Sequence, residues 1–137
     1  MMKDGDNVIL RQPGEGRDYK LGGSEEIEVS FKADGEEVAN KYSITEWWME
    51  KGAPAVDAHI HETNDELIYV LEGTVSVLNG ENWVQLTKGG MAIIPAGVVH
   101  GFRNDSDQRA GILNIFLNGA YEAMMPQIQM MFAQRED

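Results

Sequence analysis

Apolar and polar residues along this chain fall into short runs whose period is two for most of the length and then changes. Ile27-Glu28-Val29-Ser30-Phe31 alternates strictly and predicts a half-buried strand. Tyr42-Ser43-Ile44-Thr45-Glu46-Trp47-Trp48-Met49 is rich in β-branched and aromatic residues, which suit a pleated surface. It stops at Lys51-Gly52-Ala53-Pro54, and Val56 to His61 predicts the next strand. Leu67-Ile68-Tyr69-Val70-Leu71 is a continuous apolar run, the pattern of a strand buried on both faces. Thr74 to Leu78 and Trp83 to Leu86 flank Asn79-Gly80, the strongest hairpin signal in the chain. Met91 to Ile94, Val98 to Arg103 and Gly111 to Leu117 complete the series, separated by turn-forming stretches such as Thr63-Asn64-Asp65 and Pro95-Ala96-Gly97.

Residues 1–18 are polar and punctuated by Pro13, Gly14 and Gly16, which predicts an irregular arm with a short strand around Val8-Ile9-Leu10. Ala33-Asp34-Gly35-Glu36 is expected to be a turn. The count comes to roughly ten short strands at regular spacing, the signature of an all-β sandwich or barrel, here spanning residues 19–118. After Asn118-Gly119 the period turns helical. Tyr121, Met124, Met125, Ile128, Met131 and Phe132 form one apolar stripe, and Pro126 predicts a kink or two short helices. Residues 119–137 are therefore expected to be a helical segment packed on the barrel. Its methionines, Met124, Met125, Met130 and Met131, admit a second reading as a flexible lid over an apolar pocket.

Composition narrows the function classes. A chain of 137 residues with 42% apolar and 25% charged residues suits one globular domain. The absence of cysteine excludes disulfides and thiolate metal sites. No apolar run opens the chain and none approaches the roughly 18 residues of a membrane span, so a cytoplasmic protein with no membrane partner is expected. The net charge is −12, from 11 basic and 23 acidic residues with no basic stripe, which argues against nucleic acid as a partner.

The chemistry concentrates in one place. The chain has three histidines, His59, His61 and His100, and the first two sit two residues apart. Side chains at i and i+2 of a strand share a face, whereas a helix would set them about 200° apart at ~100° per residue. Glu66 follows His61 with four residues between them, and Glu62 is the competing carboxylate, although a continuing strand would point it away from the histidines.

Laid end to end, Gly52 is followed by six residues, His59-x-His61, four residues, Glu66, six residues and Gly73. Later, Gly89 is followed by five residues, Pro95-x-Gly97, two residues, His100, three residues and Asn104. This resembles the two motifs of the cupin superfamily, the first with one extra residue between Gly52 and His59. The flanks, Lys41 to Glu46 and Asn118 to Glu122, resemble the quercetin-dioxygenase-like branch. The resemblance implies a cupin jelly-roll β-barrel, also called a double-stranded β-helix. It also implies one divalent metal ion bound by His59, His61, Glu66 and His100, with Glu66 as the catalytic base of a dioxygenase. Imidazole suits iron, cobalt, nickel, copper and zinc, and the carboxylate extends the range to manganese. Four protein ligands leave about two octahedral positions open.

Parity then nominates lining residues. Phe102 and Asn104 share the face of His100, and Ile68 and Val70 share that of Glu66. On the strand from Tyr42 to Met49, Tyr42, Ile44, Glu46 and Trp48 share one face, and Ser43, Thr45, Trp47 and Met49 the other. Parity does not choose between the two, and Tyr42 and Trp48 are carried as candidates. Arg103 has the wrong parity, so no arginine is expected beside the metal. That argues against phosphorylated sugars and for a flat, apolar, chelating enol, diketone or flavonol-like substrate. The competing expectations are a non-catalytic small-molecule binding cupin, and a metal-assisted isomerase or decarboxylase with Glu46 as the second acid or base. Adjacent Trp47 and Trp48 cannot both point inward, which places one at a homodimer interface or under the C-terminal helix.

Overall fold

A computed structural model describes residues 8–134. Ten strands form among them: β1 (Arg17–Leu21), β2 (Ile27–Ala33), β3 (Tyr42–Met49), β4 (Val56–His59), β5 (Glu66–Glu72), β6 (Thr74–Asn79), β7 (Asn82–Thr87), β8 (Met91–Ile94), β9 (His100–Arg103) and β10 (Ala110–Leu117). They build two antiparallel sheets, a six-stranded one in the order β1-β2-β3-β10-β5-β8 and a four-stranded one in the order β4-β9-β6-β7. This is the expected jelly-roll arrangement, with a C-terminal helix α1 (Met125–Ala133) added.

Alternation places the core between the sheets. Val29 and Phe31 of β2, Trp47 and Met49 of β3, Ile68 and Val70 of β5 and Ile112 of β10 face Val75, Val77 and Phe102 of the smaller sheet, all buried. The rings of Trp47 and Phe102 join the two layers edge to face, with centroids 5.3 Å apart. Trp48 points the other way and lies over Gly111, with the Arg109 guanidinium 4.3 Å from its ring centre. The second tryptophan therefore packs on an arginine rather than under α1, which lies against β1.

Several local expectations are corrected. Val8-Ile9-Leu10 is not a strand; these residues are exposed, and the first strand among the described residues is β1. The strand expected to reach His61 ends at His59, and the one expected from Val98 begins at His100. The run Leu67 to Leu71 is not buried on both faces: Ile68 and Val70 are sealed, whereas Tyr69 is exposed. The turn after Ala33 extends into a 3-10 helix, Gly35–Val38. Pro126 sits in the first turn of α1, where its missing N–H costs nothing, preceded by a 3-10 turn at Glu122–Met124. Met125 and Phe132 anchor α1, whereas Met124, Met130 and Met131 are exposed and none of them lines the cavity described below.

Candidate metal centre

His59 ends β4 and His100 begins β9, and the strand register sets them directly opposite each other. Gly101 permits this close approach, because a Cβ there would stand 2.7 Å from the Val56 carbonyl oxygen. His61 lies just past β4, held by the Gly97 amide, which donates to its carbonyl at 2.8 Å. Gly97 has φ 85°, a backbone geometry that glycine adopts without penalty. The loop carrying the chain from His61 to Glu66 is pinned twice. Asn64 Nδ2 donates to Leu117 O at 2.6 Å, and the Ala96 amide donates to Asp65 Oδ1 at 2.8 Å. Glu66 then opens β5 between Phe116 of β10 and Ile94 of β8.

The imidazoles are oriented by main-chain carbonyls. His59 Nδ1 lies 2.7 Å from Asp57 O, and His100 Nδ1 lies 2.9 Å from Val98 O. A carbonyl can only accept, so each Nδ1 carries a proton; Nε2 of His59 is then free to present a lone pair, whereas in the metal-free site Nε2 of His100 donates to Glu66, a proton that a bound ion would displace. Glu66 Oε1 sits 3.0 Å from His100 Nε2 and 3.4 Å from His61 Nε2. Its other oxygen accepts from Asn114 Nδ2 at 2.5 Å. One donor atom from each of His59, His61, Glu66 and His100 falls within 4.8 Å of the others. Ligand bonds of ~2.0–2.2 Å to a common ion need only small further shifts. The chemistry fits: neutral nitrogens and one carboxylate, with Glu66 and His100 buried and His59 and His61 partly open. Glu62 is exposed and outside the cluster.

The electrostatics follow from burial and partners. Burial pushes the Glu66 carboxyl up, but hydrogen bonds from His100 and Asn114 outweigh it and leave it below the usual range. Burial lowers His100, yet its bond to Glu66 raises it overall. His61 is lowered, because burial exceeds the pull of Glu66. Tyr121 is pushed up by burial and by the Glu66 charge.

Beside the cluster is a cavity of about 20 Å³ lined by Trp47, Val56, His59, His61, Glu66, Phe102, Asn114, Phe116 and Tyr121. That is room for about one water-sized group. The Phe116 ring meets His61 edge-on at 4.8 Å and leans on Tyr121 at 4.9 Å.

A family model described as Cupin domain matches residues 45–116, more than half of the chain. The chain belongs to the cupin family. Solved structures agree on the fold of this cupin. A predicted oxalate decarboxylase from Thermotoga maritima is 18% identical with a TM-score of 0.72, covering 80% of this chain and 98% of that one. An RmlC-like cupin from Shewanella frigidimarina is also 18% identical, with a TM-score of 0.70 over 85% of this chain and 96% of that one. A cupin sugar phosphate isomerase from Silicibacter pomeroyi is 21% identical, with a TM-score of 0.59 over 68% of this chain and 60% of that one. At these identities the likeness concerns fold alone. No curated protein matches the cupin in sequence.

Of the five residues expected to line the pocket, Phe102 does so. Ile68 and Val70 point inward as parity required but are sealed in the core with no exposed surface. Tyr42 and Trp48 stand on the outer face of β3, and Trp47 takes the inner position. Glu46 is also outside, accepting from Trp48 Nε1 at 2.9 Å, so it cannot serve as a second acid in the cavity. Asn104 is buried but spent on structure: its Nδ2 donates to Met49 O at 3.1 Å and to Gln108 O at 2.7 Å. Sequence reasoning missed Asn114, Phe116 and Tyr121. Asn114 had a usable signal, a lone amide at an inward position of an apolar strand. Tyr121 had none, because its place is fixed by a distant contact: its amide donates to Asp34 Oδ1 at 2.8 Å.

Proposed function

We propose that this cupin is a metal-dependent dioxygenase of the quercetinase-like kind, acting on a small apolar enol or diketone. The observation that carries this is the donor cluster opening onto a cavity walled by Trp47, Phe102, Phe116 and Tyr121, with no lysine or arginine in its lining. Such a wall disfavours phosphorylated or strongly acidic substrates and favours a neutral chelating group. The cavity holds about one water-sized group, so a substrate would reach the cluster by its chelating oxygen from the open side, which disfavours a full flavonol inside the cavity.

His59, His61, Glu66 and His100 are the residues that would hold the ion. Iron, manganese, nickel, cobalt, copper or zinc bound there would act as a Lewis acid toward a chelating oxygen and, where redox-active, supply electrons for oxygen chemistry. Glu66 Oε1 would accept the hydroxyl proton of an enol, a role supported by Asn114, which holds the other oxygen and fixes the carboxylate plane. The aromatic wall excludes water from the reacting face. Substrate would enter past His59 and His61, the two partly open members of the cluster. The cupin is further read as a homodimer.

A second reading, metal-assisted isomerisation or decarboxylation, rests on Tyr121, whose hydroxyl is not hydrogen-bonded by any described residue. Elemental analysis of purified protein, followed by oxygen uptake with a panel of β-diketones, enols and flavonols, separates these readings. Oxygen uptake that stops in Glu66→Gln while metal is retained supports the dioxygenase. Turnover without oxygen consumption favours the second reading. Stoichiometric metal with no turnover at all points to a binding cupin.

A further inference from the structure

Outside the donor cluster, three of the residues lining the cavity carry a hydrogen-bonding side chain: Trp47, Asn114 and Tyr121. Two of them are committed. Trp47 Nε1 donates to Thr45 Oγ1 at 3.1 Å, and Asn114 Nδ2 donates to Glu66 Oε2 at 2.5 Å. The Tyr121 hydroxyl is bonded by no described residue. It is not sealed in the core either, because the sealed side-chain atoms without a partner among the described residues are Glu26 Oε1 and Ser30 Oγ. Burial and the Glu66 charge push its pKa up, so it stays protonated and is able to donate.

The tyrosine is held in place before anything binds. Its ring leans on Phe116 at 4.9 Å and faces Phe31 at 6.1 Å. Its amide donates to Asp34 Oδ1 at 2.8 Å, and Ser43 Oγ donates to the same oxygen. The next residue, Glu122, accepts from Arg17 Nε at 2.8 Å and from the Tyr19 hydroxyl at 2.7 Å. The segment carrying the ring is therefore pinned on both sides, and no ordering cost falls on a ligand that meets the hydroxyl.

We propose that Tyr121 is a specificity-determining residue whose hydroxyl donates to a carbonyl oxygen of the substrate, with Asp34 as the positioning residue that holds it there. The inference rests on the dioxygenase reading and narrows its substrate class. It asks for two neighbouring oxygens, an enol hydroxyl whose proton goes to Glu66 and a carbonyl that accepts from Tyr121. A cavity of about 20 Å³ has room for one such oxygen and not for a carbon skeleton. A simple alcohol or phenol would leave the tyrosine unpaired in the cavity, and a site built around a hydrogen bond rejects ligands that lack it. In this role Tyr121 binds and transfers no proton.

The experiment loads the full chain with cobalt(II) and titrates it without oxygen against acetylacetone, with calorimetry as the readout. Wild type is compared with Tyr121→Phe, Asp34→Ala, Asp34→Asn and the Tyr121→Phe/Asp34→Ala double variant. Tyr121→Phe keeps the ring and its packing, so cobalt affinity is expected to be unchanged. Its acetylacetone affinity is expected to fall roughly 10–100-fold, the loss of one hydrogen bond to a charged acceptor. Asp34→Asn keeps an oxygen for the Tyr121 amide and should bind as wild type does, whereas Asp34→Ala should lose affinity. The double variant should lose no more than Tyr121→Phe alone, a coupling that general loosening of the fold would not produce. Unchanged acetylacetone affinity in Tyr121→Phe overturns the inference and leaves the dioxygenase reading standing. Additive losses in the double variant overturn the role of Asp34. If Asp34→Ala does not fold, Tyr121→Phe still decides the matter. Wild type that binds no acetylacetone once loaded with cobalt overturns the diketone reading and the inference together.

Discussion

Gly101→Ala is the most informative single change, because it acts on the metal cluster through backbone packing alone. The added Cβ would lie 2.7 Å from Val56 O and 3.2 Å from Asp57 C, both main-chain atoms of β4 that cannot swing aside. Ordinary C···O contacts begin at ~3.3 Å, so β4 must retreat from β9 by roughly 0.6 Å. β4 carries His59 and supplies the Asp57 carbonyl that orients its ring. Metal–ligand distances tolerate only ~0.2 Å, so His59 falls out of range while His61, Glu66 and His100 stay. Overpacking of this sort costs about 1–3 kcal/mol, which for a chain of this size is a melting-temperature loss of roughly 3–12 °C. Metal affinity should fall by ~10–100-fold, the usual loss when the support of a ligand is disturbed. The assay is thermal unfolding with chelator present, followed by calorimetric metal titration. Gly111→Ala is the comparison: its Cβ would stand 2.1 Å from the Trp48 ring, a side chain on the outer face, so it should lower stability without changing metal affinity. If Gly101→Ala kept its stability within ~0.5 kcal/mol and bound metal as wild type does, the account of β4 and β9 given above would be wrong.

Asn114→Leu removes the donor to Glu66 Oε2 and should cost about 1.5–3 kcal/mol in urea denaturation, as for a bond to a buried charged group. Tyr121→Phe should leave unfolding within ~0.5 kcal/mol of wild type, since no described residue hydrogen-bonds its hydroxyl, and a larger loss would reveal an overlooked partner. In metal-free protein, His100 is raised above its ordinary 6.5, so its contribution is full below that pH and is lost as pH climbs through the folded value. Glu66 is depressed below 4.5, so its contribution is present above that pH and is lost as pH falls through the folded value. The two together are strongest in the mildly acidic window between 4.5 and 6.5, and His100→Gln should remove the decline on its alkaline side in a pH series of urea midpoints. Metal binding should weaken in acid, since protons compete for the three imidazoles, and titration calorimetry across pH would show it.

Short-range order made most of the strands and the candidate donor cluster legible. Strand alternation has a period of two, and the turn residues between runs are local, so Ile27–Phe31, Tyr42–Met49, the Asn79-Gly80 hairpin and Gly111–Leu117 were all legible in the sequence. The His59, His61, Glu66 and His100 set was legible because its spacing repeats a family pattern. Tertiary structure decided which face of each strand turned inward. On β3 the face that carries Tyr42, Ile44, Glu46 and Trp48 turned outward. The inward Ser43 and Thr45 are satisfied by partners that the strand itself does not reveal: Ser43 Oγ donates to Asp34, and Thr45 Oγ1 accepts from Trp47 Nε1 at 3.1 Å. Alternation fixes that two faces differ, not which one is buried. That choice depends on hydrogen-bond partners and covering surfaces from elsewhere in the chain. Tyr121 is the same case in miniature: its ring reaches the cavity because Asp34, far away in sequence, holds its amide.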